Sequence, residues 1–148
     1  MVTAVNEIRA AATGPSPRTR PSGWVLRALA VAHVVVVVGQ PVFAGVYLSG
    51  DFDGLRLHAI GADVVFYLAM AQVVAAIVVW VRLGLVWPFA ASFVVLAAET
   101  VQYFAGMEGA LWLHLPLGVL TIAGIVLLFV AVWRRPLARA AKPEAGDE

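Results

Sequence analysis

Four long apolar runs, at 24–48, 57–81, 83–105 and 111–133, decide what this chain can fold into. Each reaches the ~20 residues that one helix needs to cross the hydrocarbon core of a bilayer. Together they fill most of the 148 residues and leave no room for a separate soluble domain. The composition agrees: 62% of residues are hydrophobic and 13% are charged, where a soluble domain carries roughly 45–50% and about 25%. Mean hydropathy is +0.92. Short connections between the runs make neighbouring helices antiparallel. The expected fold is therefore all-α, an integral membrane four-helix bundle running up-down-up-down over 24–133.

The segments outside that domain, 1–23 and 134–148, are polar. The first contains Gly14, Pro15, Pro17 and Pro21, and both read as flexible tails. Lys and Arg near the helix ends set orientation. Arg9, Arg18, Arg20 and Arg27 flank the first run, Arg82 lies in the second connection, and Arg134, Arg135, Arg139 and Lys142 follow the fourth run. The first connection holds Asp51 and Asp53 against Arg56, and the third holds only Glu108. Both termini are expected in the cytoplasm of a cell-membrane protein, with the first and third connections outside. Trp24, Trp80, Trp87 and Trp133 then mark the inner boundary and Trp112 the outer one, where indole rings favour the headgroup level. The first run is longer than the ~7–15 apolar residues of a secretory signal and reads as an anchor.

The chain has no cysteine, which excludes disulfides, thiolate metal sites and iron–sulfur clusters. It shows no basic patch away from the membrane flanks, so nucleic-acid binding is not expected. No nucleophile–base triad or phosphate-binding loop stands out.

Interest therefore falls on polar groups inside the spans, where an ionisable residue is a functional candidate by default. These are His33, His58, Asp63, Glu99 and His114, with Gln40, Gln72 and Gln102. His58 and His114 lie near the starts of the second and fourth runs, at depths that differ by only about 3 Å. Diagonal helices in a square bundle stand roughly 11–14 Å apart, close to the ~13 Å between backbones whose imidazoles ligate one iron. Gly61 and Ala62 follow His58 by one turn, and Gly118 follows His114 by one turn. Small side chains there would leave room for a porphyrin. The alternative is two unrelated interfacial histidines bonded to backbone or water. His33 lies too deep to join the same iron and is expected in an interhelical hydrogen bond or in packing. Glu99 and Gln102 share a helix face, as structural glue or as part of a proton relay. Asp63 sits about 140° around the helix from His58 and need not face the same ligand. Pro41 is expected to kink the first helix after Gln40.

The segment ETVQYFAGMEGALWLHLPLGVLTIAG, 99–124, resembles part of the haem A synthase family, in which a glutamine–glycine segment on the third helix of a four-helix unit precedes a histidine opening the fourth. Gln102, Gly106 and His114 match that order. LHAIGADVVFYLAMAQVV, 57–74, is similar to the family's second helix, whose histidine is followed by small residues, and places His58 as a ligand. The resemblance spans helices two to four. It implies one haem-binding four-helix unit where the family has two per chain. The family's glutamate three residues before the helix-two histidine is replaced here by Leu55, which argues against haem A synthesis itself.

The expected function is that of a small bis-histidine, b-type cytochrome-like protein for electron transfer or redox sensing. Haem b would be held by His58 and His114 as metal ligands, with Gly61, Ala62, Gly118 and Gln102 around it. The lipid bilayer, a quinone, a second copy or a larger membrane redox complex are its candidate partners. Two alternatives stand beside it: a small proton-coupled carrier using Glu99 and Asp63, and a cofactor-free accessory subunit. No internal repeat favours the carrier.

Overall fold

A computed structural model describes residues 19–138. Among these it contains four helices and no strand: α1, Pro21–Leu48; α2, Phe52–Leu83; α3, Trp87–Met107; and α4, Leu111–Arg134. All four are long and apolar enough to cross a membrane. Most of both expected tails lies outside the described residues.

The helix limits follow from local chemistry rather than from hydropathy. α1 begins at Pro21, three residues before the apolar run, because proline at the first helical position loses no needed N–H and has its φ pre-set. α2 begins at Phe52, five residues before its run. There the Asp51 carboxylate accepts from the Asp53 backbone N–H at 2.9 Å and caps the helix. α2 ends at Gly84, whose φ of +75° is the left-handed stop that glycine tolerates best. Each connection is three residues long, 49–51, 84–86 and 108–110. Neighbouring helices are therefore antiparallel and form a ring, in which each packs on two others and no diagonal pair of backbones comes within 8 Å.

The surface is inside-out relative to a soluble bundle. Val35, Val42, Val74 and Leu127 are among many large apolar side chains left more than half exposed around the outside, as suits helices solvated by lipid chains. The inward faces carry small residues, with Ala30, Ala69 and Ala76 fully buried, so that helices approach closely. The closest approach is at Gly54: a Cβ there would stand 2.5 Å from the Tyr47 nitrogen and 2.7 Å from the Phe43 carbonyl oxygen. α1 and α2 therefore cross backbone to backbone.

The two ends of the bundle differ. One end, here the arginine end, is closed by Leu26, Val79, Leu83, Val132 and Leu137, all buried. Arg27 ties it together. Its Nε donates to the Val132 carbonyl at 3.2 Å and its Nη2 to the Arg135 carbonyl at 3.5 Å, satisfying the free C-terminal carbonyls of α4. Its guanidinium lies 5.1 Å from the Trp24 ring and 5.2 Å from that of Trp133. Arg135 lies over Trp87 in the same layer. Replacing Arg27 with alanine is expected to cost about 2 kcal/mol, the scale of charge-assisted hydrogen bonds plus cation–π contact. Lysine should restore only part of that loss, since it lacks the planar fork. Reversible unfolding in mixed detergent micelles reads both.

Candidate functional site

The opposite end of the bundle, the histidine end, carries the polar site. His58 lies on the second turn of α2, and His114 on the first turn of α4. The structure brings them together across the ring, with imidazole centroids 6.0 Å apart and planes at 75°. Each ring is anchored in the same way. His58 Nδ1 donates to the Gln40 carbonyl of α1 at 3.1 Å, and His114 Nδ1 donates to the Gln102 carbonyl of α3 at 2.9 Å. Since a carbonyl can only accept, the proton sits on Nδ1 in both rings. In the neutral form of each ring Nε2 is then the lone-pair atom, and neither Nε2 has a hydrogen-bond partner among the described residues. Anchoring one imidazole nitrogen to a carbonyl fixes tautomer and orientation, as in metal-binding histidines. The 6.0 Å between their ring centroids is compatible with such a role. A metal bonded to both Nε2 atoms at about 2.0 Å would hold the centroids roughly 6 Å apart.

The glycines work differently from the sequence expectation. Gly61 and Gly118 do not open a slot beside the ligands. A Cβ at Gly61 would run into the Gln40 amide, and one at Gly118 would stand 2.6 Å from Gln102 Nε2. Each glycine therefore seats the side chain of the glutamine whose carbonyl anchors a histidine. Gly106 is also a seat, since a Cβ there would meet the His114 ring at 2.8 Å. Ala62 is half-buried beside Gly61. The seated glutamines keep unsatisfied atoms: Gln40 Nε2 and Oε1 and Gln102 Oε1 are buried without a partner. Buried amides without partners are costly and point to a missing donor, acceptor or water.

These contacts uncover a short repeat that the sequence reading missed. Gln40 is followed by Phe43-Ala44-Gly45, then Leu55-Arg56-Leu57-His58, then Gly61. Gln102 is followed by Phe104-Ala105-Gly106, then Leu111-Trp112-Leu113-His114, then Gly118. The hairpins α1–α2 and α3–α4 thus each supply one carbonyl anchor, one imidazole and one seated glutamine. A stretch between Gly45 and Leu55 that is five residues longer than its counterpart between Gly106 and Leu111, with one-residue offsets on either side of it, hides the match from a scan at fixed spacing.

Deeper in the bundle lies a second polar group. His33 of α1 places Nε2 2.7 Å from Glu99 Oε1 of α3 and Nδ1 3.3 Å from Gln72 Oε1 of α2. The Gln72 amide donates to Ser92 at 3.5 Å. All four side chains are nine-tenths or more buried. His33 is thus in the interhelical hydrogen bonding expected of it, with a partner set that the sequence left open. Asp63 lies apart, on the exposed side of α2, where it accepts from the Tyr103 hydroxyl at 2.9 Å. Among the described residues no hydrogen bond joins it to Glu99.

Among the described residues no three metal-ligating side chains converge. Two imidazoles suffice only for a group that brings its own equatorial donors. Compared with protein-family models, curated proteins and solved structures, the chain matches none of them.

Proposed function

We propose that the chain is a small multi-pass membrane haem protein of the b-type cytochrome kind, with His58 and His114 as the two axial ligands. The single observation that carries this reading is the paired anchoring of two imidazoles, each held through Nδ1 by the Gln40 or Gln102 carbonyl, with ring centroids 6.0 Å apart and no hydrogen-bond partner on either Nε2 among the described residues. The likeness of 57–74 and 99–124 to the haem A synthase pattern supports it from the sequence side. Haem b would supply one-electron chemistry, and filling both axial positions favours electron transfer over oxygen binding. The chain's own part is to fix both rings, to line the site with glutamine amides, and to keep the core dry at the arginine end. Arg20, Arg27, Arg82, Arg134 and Arg135 at that end support an orientation with both termini in the cytoplasm and the histidine end at the outer face of the cell membrane. A quinol dissolved in the bilayer is the fitting electron donor, and a second copy or a larger redox complex the fitting acceptor.

The test is direct. Protein purified in mild detergent with haem supplied should show a Soret band and a sharp α band on reduction. His58→Ala and His114→Ala should each lose the low-spin spectrum and at least tenfold in haem affinity, while Arg27→Ala keeps both. A colourless wild-type protein refutes the proposal.

A further inference from the structure

The His33–Glu99 pair has no part in holding a ligand, yet its geometry fixes its proton content. Gln72 Oε1 can only accept, so His33 Nδ1 carries a proton. His33 Nε2 and Glu99 Oε1 face each other at 2.7 Å. Two lone pairs would repel at that distance, so one proton lies between them. The pair is then neutral overall, whichever atom the proton rides on, and losing that proton would leave one negative charge in the core.

The surroundings give this proton a direction. The buried side-chain atoms without partners among the described residues are Glu99 Oε2, Gln40 Nε2 and Oε1, and Gln102 Oε1. Gln102 lies three residues after Glu99, and Gln40 seven after His33, so each shares an inward helix face with its pair member. The unpartnered atoms therefore run from the pair toward the histidines, where water can complete a hydrogen-bonded chain. Toward the arginine end the packing is apolar, with Leu26, Val79 and Val132 fully buried. Among the described residues no other titratable side chain faces the pair. α1 adds none, since Arg27 is committed to the α4 carbonyls. α2 presents Gln72, α3 presents Ser92, and α4 presents the Thr121 hydroxyl, which is bonded to Leu117.

We infer that His33 and Glu99 form a proton-binding site inside the bundle, loaded and emptied through the histidine end in step with the charge at His58 and His114. The coupling rests on the haem reading above; the proton site does not. With haem held by His58 and His114, its oxidation would add one positive charge at the histidine end and favour loss of the shared proton. Reduction removes that charge and favours its return. One electron and one proton thus move together, and the pair stays neutral in the reduced state.

The experiment is a spectroelectrochemical titration of the haem-loaded protein across pH, with reduced-minus-oxidised infrared spectra on the same samples. The reduced form holds the extra proton, so the midpoint potential should fall as pH rises, by up to 59 mV per pH unit for one-to-one coupling. Glu99→Gln should flatten that slope and remove a deuterium-sensitive carboxyl band. His33→Gln should also flatten it, and serves if Glu99→Gln does not accumulate. A coloured protein whose slope and carboxyl band are the same in both variants overturns the inference and leaves the haem reading standing. A colourless protein removes the haem reading and the coupling with it. The proton site is then decided by infrared titration of the apoprotein: a pH-dependent carboxyl band lost in Glu99→Gln supports it, and an unchanging spectrum overturns it.

Discussion

Replacing His33 with alanine is expected to destabilise the bundle by about 3 kcal/mol, one of the two largest single-residue effects we foresee. The ring is fully buried and bonds to two helices at once. Removing it leaves the buried Glu99 carboxyl and Gln72 carbonyl without their shared partner. The loss belongs to the broken network rather than to histidine as such. A double variant in which Glu99 is also alanine should therefore cost clearly less than the sum of the singles, with a coupling of at least about 1 kcal/mol. Unfolding in mixed micelles measures the cycle. Additivity within ~0.5 kcal/mol would show that the contact contributes nothing beyond two separate side chains.

Gly54→Ala is expected to be as costly, about 3 kcal/mol, at the upper end of what an inserted methyl costs a tight contact. What stands in the way is main chain, the Tyr47 nitrogen and the Phe43 carbonyl, so no side chain can rotate aside and the α1–α2 crossing must open. Gly45→Ala is the matched control. It lies on the same hairpin in helical conformation with nothing within 4 Å. Removing glycine's backbone freedom there should stabilise by roughly 0.5 kcal/mol. The two alanines should thus move the unfolding midpoint in opposite directions. Like-signed shifts of similar size would show that the crossing is looser than described.

The apolar runs made the four helices legible because lipid demands long unbroken apolar stretches, a signal strong enough to survive without any tertiary information. The pairing of His58 with His114 was legible too, since equal depth on diagonal helices is a property of sequence position. Their anchors were not. Gln40 and Gln102 act on the rings through backbone carbonyls, which carry no residue signature, and Gln40 stood out only as a neutral companion beside Pro41. The space beside Gly61 and Gly118 reads from sequence as room for a flat ligand; only the packing shows it filled by amides. The partnership of His33 with Glu99 joins α1 and α3, which lie diagonally across the ring, and no spacing within one helix reports it. Phe52 to Arg56 were hidden for another reason: an aspartate cap extends α2 through a polar stretch that hydropathy assigns to a loop.

The matching hairpins carry a consequence for how the protein comes into being. Neither hairpin owns a pair of rings; each owns one ring already held in its working tautomer by its own carbonyl. The centre therefore exists only after the two halves have met in the bilayer. On the proposed haem reading, loading would report that insertion is finished and correctly registered, since a chain stalled after its second span holds only one of the two rings.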